Sequence, residues 1–137
     1  EISSPNGKIS LTIPIEKPSK GETMKDIRIA NYGHWNHLHW QALSSAYGKS
    51  PFFEYYAEEY APIFESPNKF LVDFNEKLLQ TTLKLLYTER TIHRTEEYLP
   101  SYPIDYIDLR EKIHPKKSIE ETLQNFSPIP YYQVFRE

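Results

Sequence analysis

Two Ser-Pro dipeptides, Ser50-Pro51 and Ser66-Pro67, punctuate the middle of the chain, and helical periodicity resumes after each. Serine is a good N-cap. Proline is tolerated at the first helical position, because the N–H it lacks would be unpaired there anyway. The pattern therefore predicts three short helices. The first covers Trp35–Tyr47, where Trp35, Leu38, His39, Ala42, Leu43, Ala46 and Tyr47 recur at helical spacing and Gly48 supplies a stop. The second runs from Ser50-Pro51 to about Ala61, where Pro62 limits it, with Phe52 or Phe53, Tyr56, Tyr60 and Phe64 on its apolar side. The third runs from Ser66-Pro67 to about Tyr87. Leu71, Phe74, Leu78, Thr82, Leu85 and Leu86 share one side of it, while Asp73, Glu76, Lys77, Gln80 and Lys84 fall mainly elsewhere.

The flanks read differently. Ser4-Pro5-Asn6-Gly7 is a turn, since proline presets one dihedral and Asn-Gly tolerates positive φ. Ile9, Leu11, Ile13 and Ile15 then alternate with Ser10, Thr12, Pro14 and Glu16, the period of a half-buried strand. Pro14 cannot donate to a ladder and places this strand at an edge or an end. Met24–Ala30 reads as a second strand, with Ile27 and Ile29 on one face. Two strands need a covering layer, so the expected fold class is α+β: a small, mainly antiparallel sheet packed against about three helices. Further on, Thr88–Thr95 is β-prone, Leu99–Pro103 breaks the chain, and Tyr106–Ile113 fits no single period. Ser118–Phe126 has helical turns with Ser118 and Glu121 in capping-box spacing, and Tyr131–Phe135 begins another element.

Composition narrows the function. The chain has 137 residues, enough for one domain with a core, and a net charge of -3, which carries no electrostatic footprint for nucleic acid or an anionic membrane. It has no cysteine, so thiolate metal sites and disulfides are excluded. No apolar run has the length of a membrane span, and the opening EISSPNGK is no signal peptide. Only 4 glycines are present, and there is no glycine-rich phosphate loop, G-x-S-x-G or H-E-x-x-H. The cofactor, like the substrate, is not identified by the sequence.

Chemistry-bearing residues concentrate between Asn31 and Tyr56, which hold both tryptophans and His34, His37 and His39. The three histidines match no standard zinc spacing, and His34 and His37 read as surface or first-turn residues. His39 falls inside the apolar stripe with Trp35 and Leu43. A histidine there is either a hydrogen-bonded core residue or a general acid–base group, whose pKa range suits proton transfer near neutrality. Most of the surrounding aromatics read as core. Trp40 and Tyr55 fall off the main stripes and suit a stacking platform or a contact surface. Asp105, Asp108, Arg110 and Lys116 make a charged group in the C-terminal third that reads as a solvated face with weak ion pairs.

Several of these segments together resemble one family. They are the NGKISLTIPI strand, the strand ending at Asn31, Trp35 with His39-Trp40, Ala46-Tyr47, and Ser50-Pro51-Phe52-Phe53-Glu54-Tyr55-Tyr56. Asp73-Phe74-Asn75 and Pro130-Tyr131-Tyr132-Gln133-Val134-Phe135 complete the set. The combination is similar to the WbqC-like family, known mostly from bacteria and often from surface-polysaccharide gene clusters. His39 coincides with a histidine that recurs in that family. Its members carry a further N-terminal region and continue past the QVF segment, so the resemblance implies that residues 1–137 are a single WbqC-like domain lacking terminal parts.

Two functions compete. One is a cytoplasmic transferase acting on an activated sugar or similar small metabolite in surface-polysaccharide biosynthesis. His39 would be its catalytic acid or base, and Trp35, Trp40, Tyr47 and Tyr55 would shape the substrate pocket. The other is a non-catalytic binding or scaffolding domain whose aromatic surface docks another copy or missing segments of the same protein.

Overall fold

The computed structural model describes residues 1–103, 105–110, 129–130, 132 and 134–135. The chain divides into two compact units, Glu1–Arg90 with Gln133–Glu137, and Thr91–Tyr132.

In the first unit, Ile2–Ser4 (β1) and Gly7–Ile9 (β2) pair antiparallel, with Ser4 opposite Gly7 across Pro5-Asn6. Gly7 sits at φ 105°, a conformation that glycine adopts without penalty. The Ser4 hydroxyl closes the turn by donating to the Gly7 carbonyl at 2.7 Å. The strand expected through Ile15 is interrupted: β2 ends at Ile9, and the chain rejoins a partner only at Ile15, opposite Ile29. Pro14 is the reason pairing there stays local. It offers no N–H, and its carbonyl accepts from Ala30 at 2.9 Å while Glu16 donates to Arg28 at 3.0 Å. The second expected strand is also shorter than its pattern. Met24–Asp26 is a 3-10 turn held by Thr23, whose amide and hydroxyl both donate to the Asp26 carboxylate (3.0 and 2.7 Å) and keep its pKa low.

Ile27–Ala30 lies between two extended segments. Residues 14–16 flank it on one side. On the other, Ile29 donates to the Lys69 carbonyl and Leu71 donates to Ile27, bracketing an Arg28–Phe70 bridge. The alternation predicted for Ile27 and Ile29 holds, and Ile29 and Ala30 are buried.

Three helices follow: Trp35–Tyr47 (α1), Phe53–Glu65 (α2) and Leu71–Leu85 (α3). α1 has the predicted bounds, although Leu38 from its predicted stripe is exposed. α2 and α3 do not start where expected. Both Ser-Pro dipeptides close the preceding helix instead of opening the next. The Ser50 amide and hydroxyl both donate to the Tyr47 carbonyl (2.8 and 2.6 Å), and the Ser66 amide donates to the Pro62 carbonyl at 3.0 Å. A residue before proline is driven out of the helical region by the ring, and Ser66 accordingly stands at ψ 144°.

α2 also runs through Pro62, against expectation. Proline removes one hydrogen bond, to the carbonyl of Glu58, an exposed residue. Continuing the helix one more turn buries Ile63 and Phe64, which outweighs that loss. The freed carbonyls of this last turn are met by side chains. Asn68 donates to Ile63 (2.8 Å) and Ser66 (2.9 Å), and Asn36 on α1 donates to Phe64 (2.9 Å).

The core joins Ile29, Trp35, Ile63, Phe64 and Phe74. Phe74, only 1% exposed, takes the edge-to-face position against both Trp35 (5.3 Å, 88°) and Phe64 (5.6 Å, 77°). The fold is thus α+β, three helices with a small antiparallel sheet.

In the second unit, Arg110 organises its neighbours. Its guanidinium pairs with Asp108, donates to the Leu99 carbonyl at 2.9 Å and lies over the rings of Tyr98 and Tyr102 (5.2 and 4.8 Å), and the Asp108 pairing pushes its pKa up. No strand forms over the described β-prone residues from Thr88 to Thr95. The expectations for Lys116 and for Ser118–Phe126 lie outside the described residues.

Candidate functional site

The amphipathic stripes of α1, α2 and α3 face one another without closing completely. Between them is a cleft of about 650 Å³, within the usual range for a small-molecule site. α2 and α3 run antiparallel along it, as the pairs Phe64–Phe74, Tyr60–Thr82 and Glu59–Lys84 show. Leu11 and Ile13, from the segment after β2, wall one side. Leu78 and Leu85 on α3 and Phe53 and Ala57 on α2 also line the cleft.

His39 lines this cleft with the buried Phe64 and Phe74. One turn after Trp35 on α1, its ring meets the indole edge-on at 5.2 Å and 75°. The side chain is 8% exposed. Burial, the largest influence, pushes its pKa down, and the Thr12 backbone opposes that in part. The imidazole is therefore held neutral near pH 7. A neutral ring has one donor nitrogen and one acceptor nitrogen, and the latter can take a proton.

Four of the five sequence-derived site residues have different environments. Trp40 lines the cleft, stacked on Phe53 (6.3 Å, 21°) and tilted against Phe64 (5.7 Å). Tyr47 lines it as well and touches Phe135 at 5.4 Å. Trp35 is buried beneath His39 and does not line the cleft. Tyr55 is outside it, 54% exposed, edge-on to Tyr56 at 5.5 Å and hydrogen-bonded to Tyr87, which raises its pKa. The structure thus gathers His39, Trp40 and Tyr47 in one cavity and leaves Trp35 and Tyr55 outside it. His34 and His37 are exposed. Among the described residues, no group of three His, Asp or Glu side chains converges on one point.

Tyr60, Thr82 and Asn75 also line the cleft, and residue-by-residue reading missed them as site residues. Tyr60 and Thr82 sit at core-facing helical positions. Their signal was a polar tip in an otherwise apolar stripe. The Thr82 hydroxyl donates to the Leu78 carbonyl at 2.7 Å, so at 2.9 Å from Tyr60 it must accept the phenolic proton. Tyr60 is thereby left with its lone pairs as acceptors.

A model of the WbqC-like protein family matches residues 1–133. The chain belongs to that family. No curated protein and no solved structure matches it. In this WbqC-like protein the segments that carried the resemblance coincide with the cleft: Ile13 in the NGKISLTIPI segment, His39-Trp40, Tyr47, Phe53, Tyr56 and Asn75 all line it. No helix among the described residues is long and apolar enough to cross a membrane.

Proposed function

We propose that this WbqC-like protein is a cytoplasmic transferase acting on a small metabolite, such as an activated sugar, in surface-polysaccharide biosynthesis. One observation carries the reading. A desolvated imidazole, its pKa pushed down by burial, borders a cleft walled by aromatic and aliphatic side chains. His39 acts as the general base. It takes the proton from the acceptor's hydroxyl or amine as that atom bonds to the transferred group and the donor's leaving group departs with its electron pair. Trp40 and Tyr47 shape the substrate pocket, Trp35 fixes the imidazole from below, and Tyr55 belongs to the approach outside it.

The test is a thermal-shift panel of nucleotide sugars, acyl donors and divalent metals on the intact protein and on His39→Gln. A ligand in excess of its Kd raises the melting temperature by mass action. The expected result is a ligand class that stabilises the wild type and has a reduced effect on the variant, and a donor–acceptor pair from that class turned over only by the wild type. Stabilisation by no member of the panel, with His39→Gln merely less stable, would overturn the transferase reading and favour a structural histidine in a scaffolding domain.

A further inference from the structure

Resting on the reading of the cleft as the substrate site, we infer that the part of the substrate it encloses is an uncharged acyl chain. Three observations lead there. First, among the described residues lining the cleft there is no Lys, Arg, Asp or Glu. A phosphate or diphosphate is ordinarily met by a guanidinium, an ammonium or free backbone amides, and burial without them is costly. Charged parts of a donor therefore stay outside. Second, one wall of the cleft is long. The α3 wall runs from Phe74 through Leu78 and Thr82 to Leu85, eleven residue steps that span roughly 16 Å at the helical rise. That matches about a dozen carbons of an extended chain, since C–C bonds of about 1.5 Å advance about 1.25 Å each along a zigzag. A pyranose ring needs much less length and many more hydrogen-bonding partners.

Third, polarity is unevenly distributed. His39 is buried, whereas Asn75, at the Phe74 end of the α3 wall, is exposed, so the cleft reaches solvent there. At the other end the lining residues Tyr56 and Leu86 are 42% and 66% exposed, so the cleft opens there too. Midway, the Tyr60 and Thr82 hydroxyls satisfy each other and present little unmet polarity to a hydrocarbon. This arrangement suits a chain with a single neutral polar group, a carbonyl, set by His39, its charged activating group held in solvent past Asn75, and methylenes along α3.

The experiment titrates the intact protein with neutral N-acetylcysteamine thioesters of increasing acyl length, from butanoyl to decanoyl, by calorimetry and by tryptophan fluorescence reported by Trp40. Each fully buried methylene favours binding about threefold to fourfold, so a rise of at least twofold per added methylene is expected from this partly open groove. Ala57→Leu, which fills the cleft from α2, and Leu86→Lys, which adds a charge at the Tyr56 end, should each weaken decanoyl binding tenfold or more. Circular dichroism melting checks that both remain folded, and Leu86, being exposed, is the less disruptive of the two. Affinity that is flat with chain length, or indifferent to both variants, overturns the inference. No acyl binding together with a His39-dependent response to a nucleotide sugar overturns it and leaves the transferase reading standing. Chain-length-dependent binding that His39→Gln preserves, with no turnover of any donor, supports it while removing the transferase reading.

Discussion

The hydroxyl pair across the cleft makes a directional prediction. Thr82 gives its only proton to the Leu78 carbonyl, so Tyr60 is the donor in the Tyr60–Thr82 bond. Removing the two partners should then be unequal. Tyr60→Phe leaves Thr82 with an unused lone pair and costs only the net value of one hydrogen bond, about 0.5–1.5 kcal/mol. Thr82→Val keeps the side chain's shape but strands a partly buried phenolic O–H, and it also strips the Leu78 carbonyl of its extra donor. An orphaned donor costs about 1–3 kcal/mol, so Thr82→Val should be the more damaging. In the double variant the stranded O–H is gone, and the coupling should be on the order of 1 kcal/mol. Thr82→Ser should recover most of the loss. Urea unfolding of the four proteins, with slopes compared, reads these values directly. A Thr82→Val protein as stable as the wild type, or less affected than Tyr60→Phe, would refute the assignment of the donor and with it the claim that Tyr60 keeps its lone pairs as acceptors.

Other expectations follow from the same contacts. Asn68→Ala removes the donor to the Ile63 carbonyl at the end of α2 and should cost about 1–2 kcal/mol in chemical denaturation, with Asn68→Asp no better because a carboxylate cannot donate. Phe52, at φ 61° and 77% exposed, holds a left-handed conformation with little packing in return. Phe52→Asn should therefore raise stability by about 0.5–1 kcal/mol, as a shift of the urea midpoint. His39 has a pKa below the ordinary imidazole value of 6.5, so the unfolded chain binds its proton first as pH falls. Its contribution to stability is complete above pH 6.5 and declines from there toward the lower folded pKa. Denaturation measured between pH 8 and 5 should show that acid-side slope, and His39→Gln should flatten it.

Much of the helical layer was legible from residue order alone. α1 was readable to its last residue because its apolar stripe and its glycine stop agree. Phe74 and Leu78 on α3 were recognisable as inward-facing, since the 3.6-residue period depends only on helix geometry. His39 stood out for the same reason, a titratable ring inside an apolar stripe. The helix ends were another matter. A Ser-Pro pair has one local meaning, an extended serine, and that serves equally to close one helix or to open the next. Ser50 and Ser66 close because the Tyr47 and Pro62 carbonyls need partners there. Likewise Pro62 ordinarily stops a helix, yet burial of Ile63 and Phe64 keeps α2 going.

What the amino-acid sequence determined by itself was therefore periodic and local: three amphipathic helices, a turn at Pro5-Asn6, and the family to which they belong. The tertiary structure alone decided which inward-facing residues meet and which leave space. Trp35 and Trp40 are five positions apart on one helix, but one is sealed under His39 and the other walls the cleft. Tyr60 and Thr82, 22 residues apart, share a proton across it. Periodicity says which way a side chain faces within its own helix. Only the crossing of three helices and the Leu11–Ile13 segment determines whether it faces another side chain or a cavity.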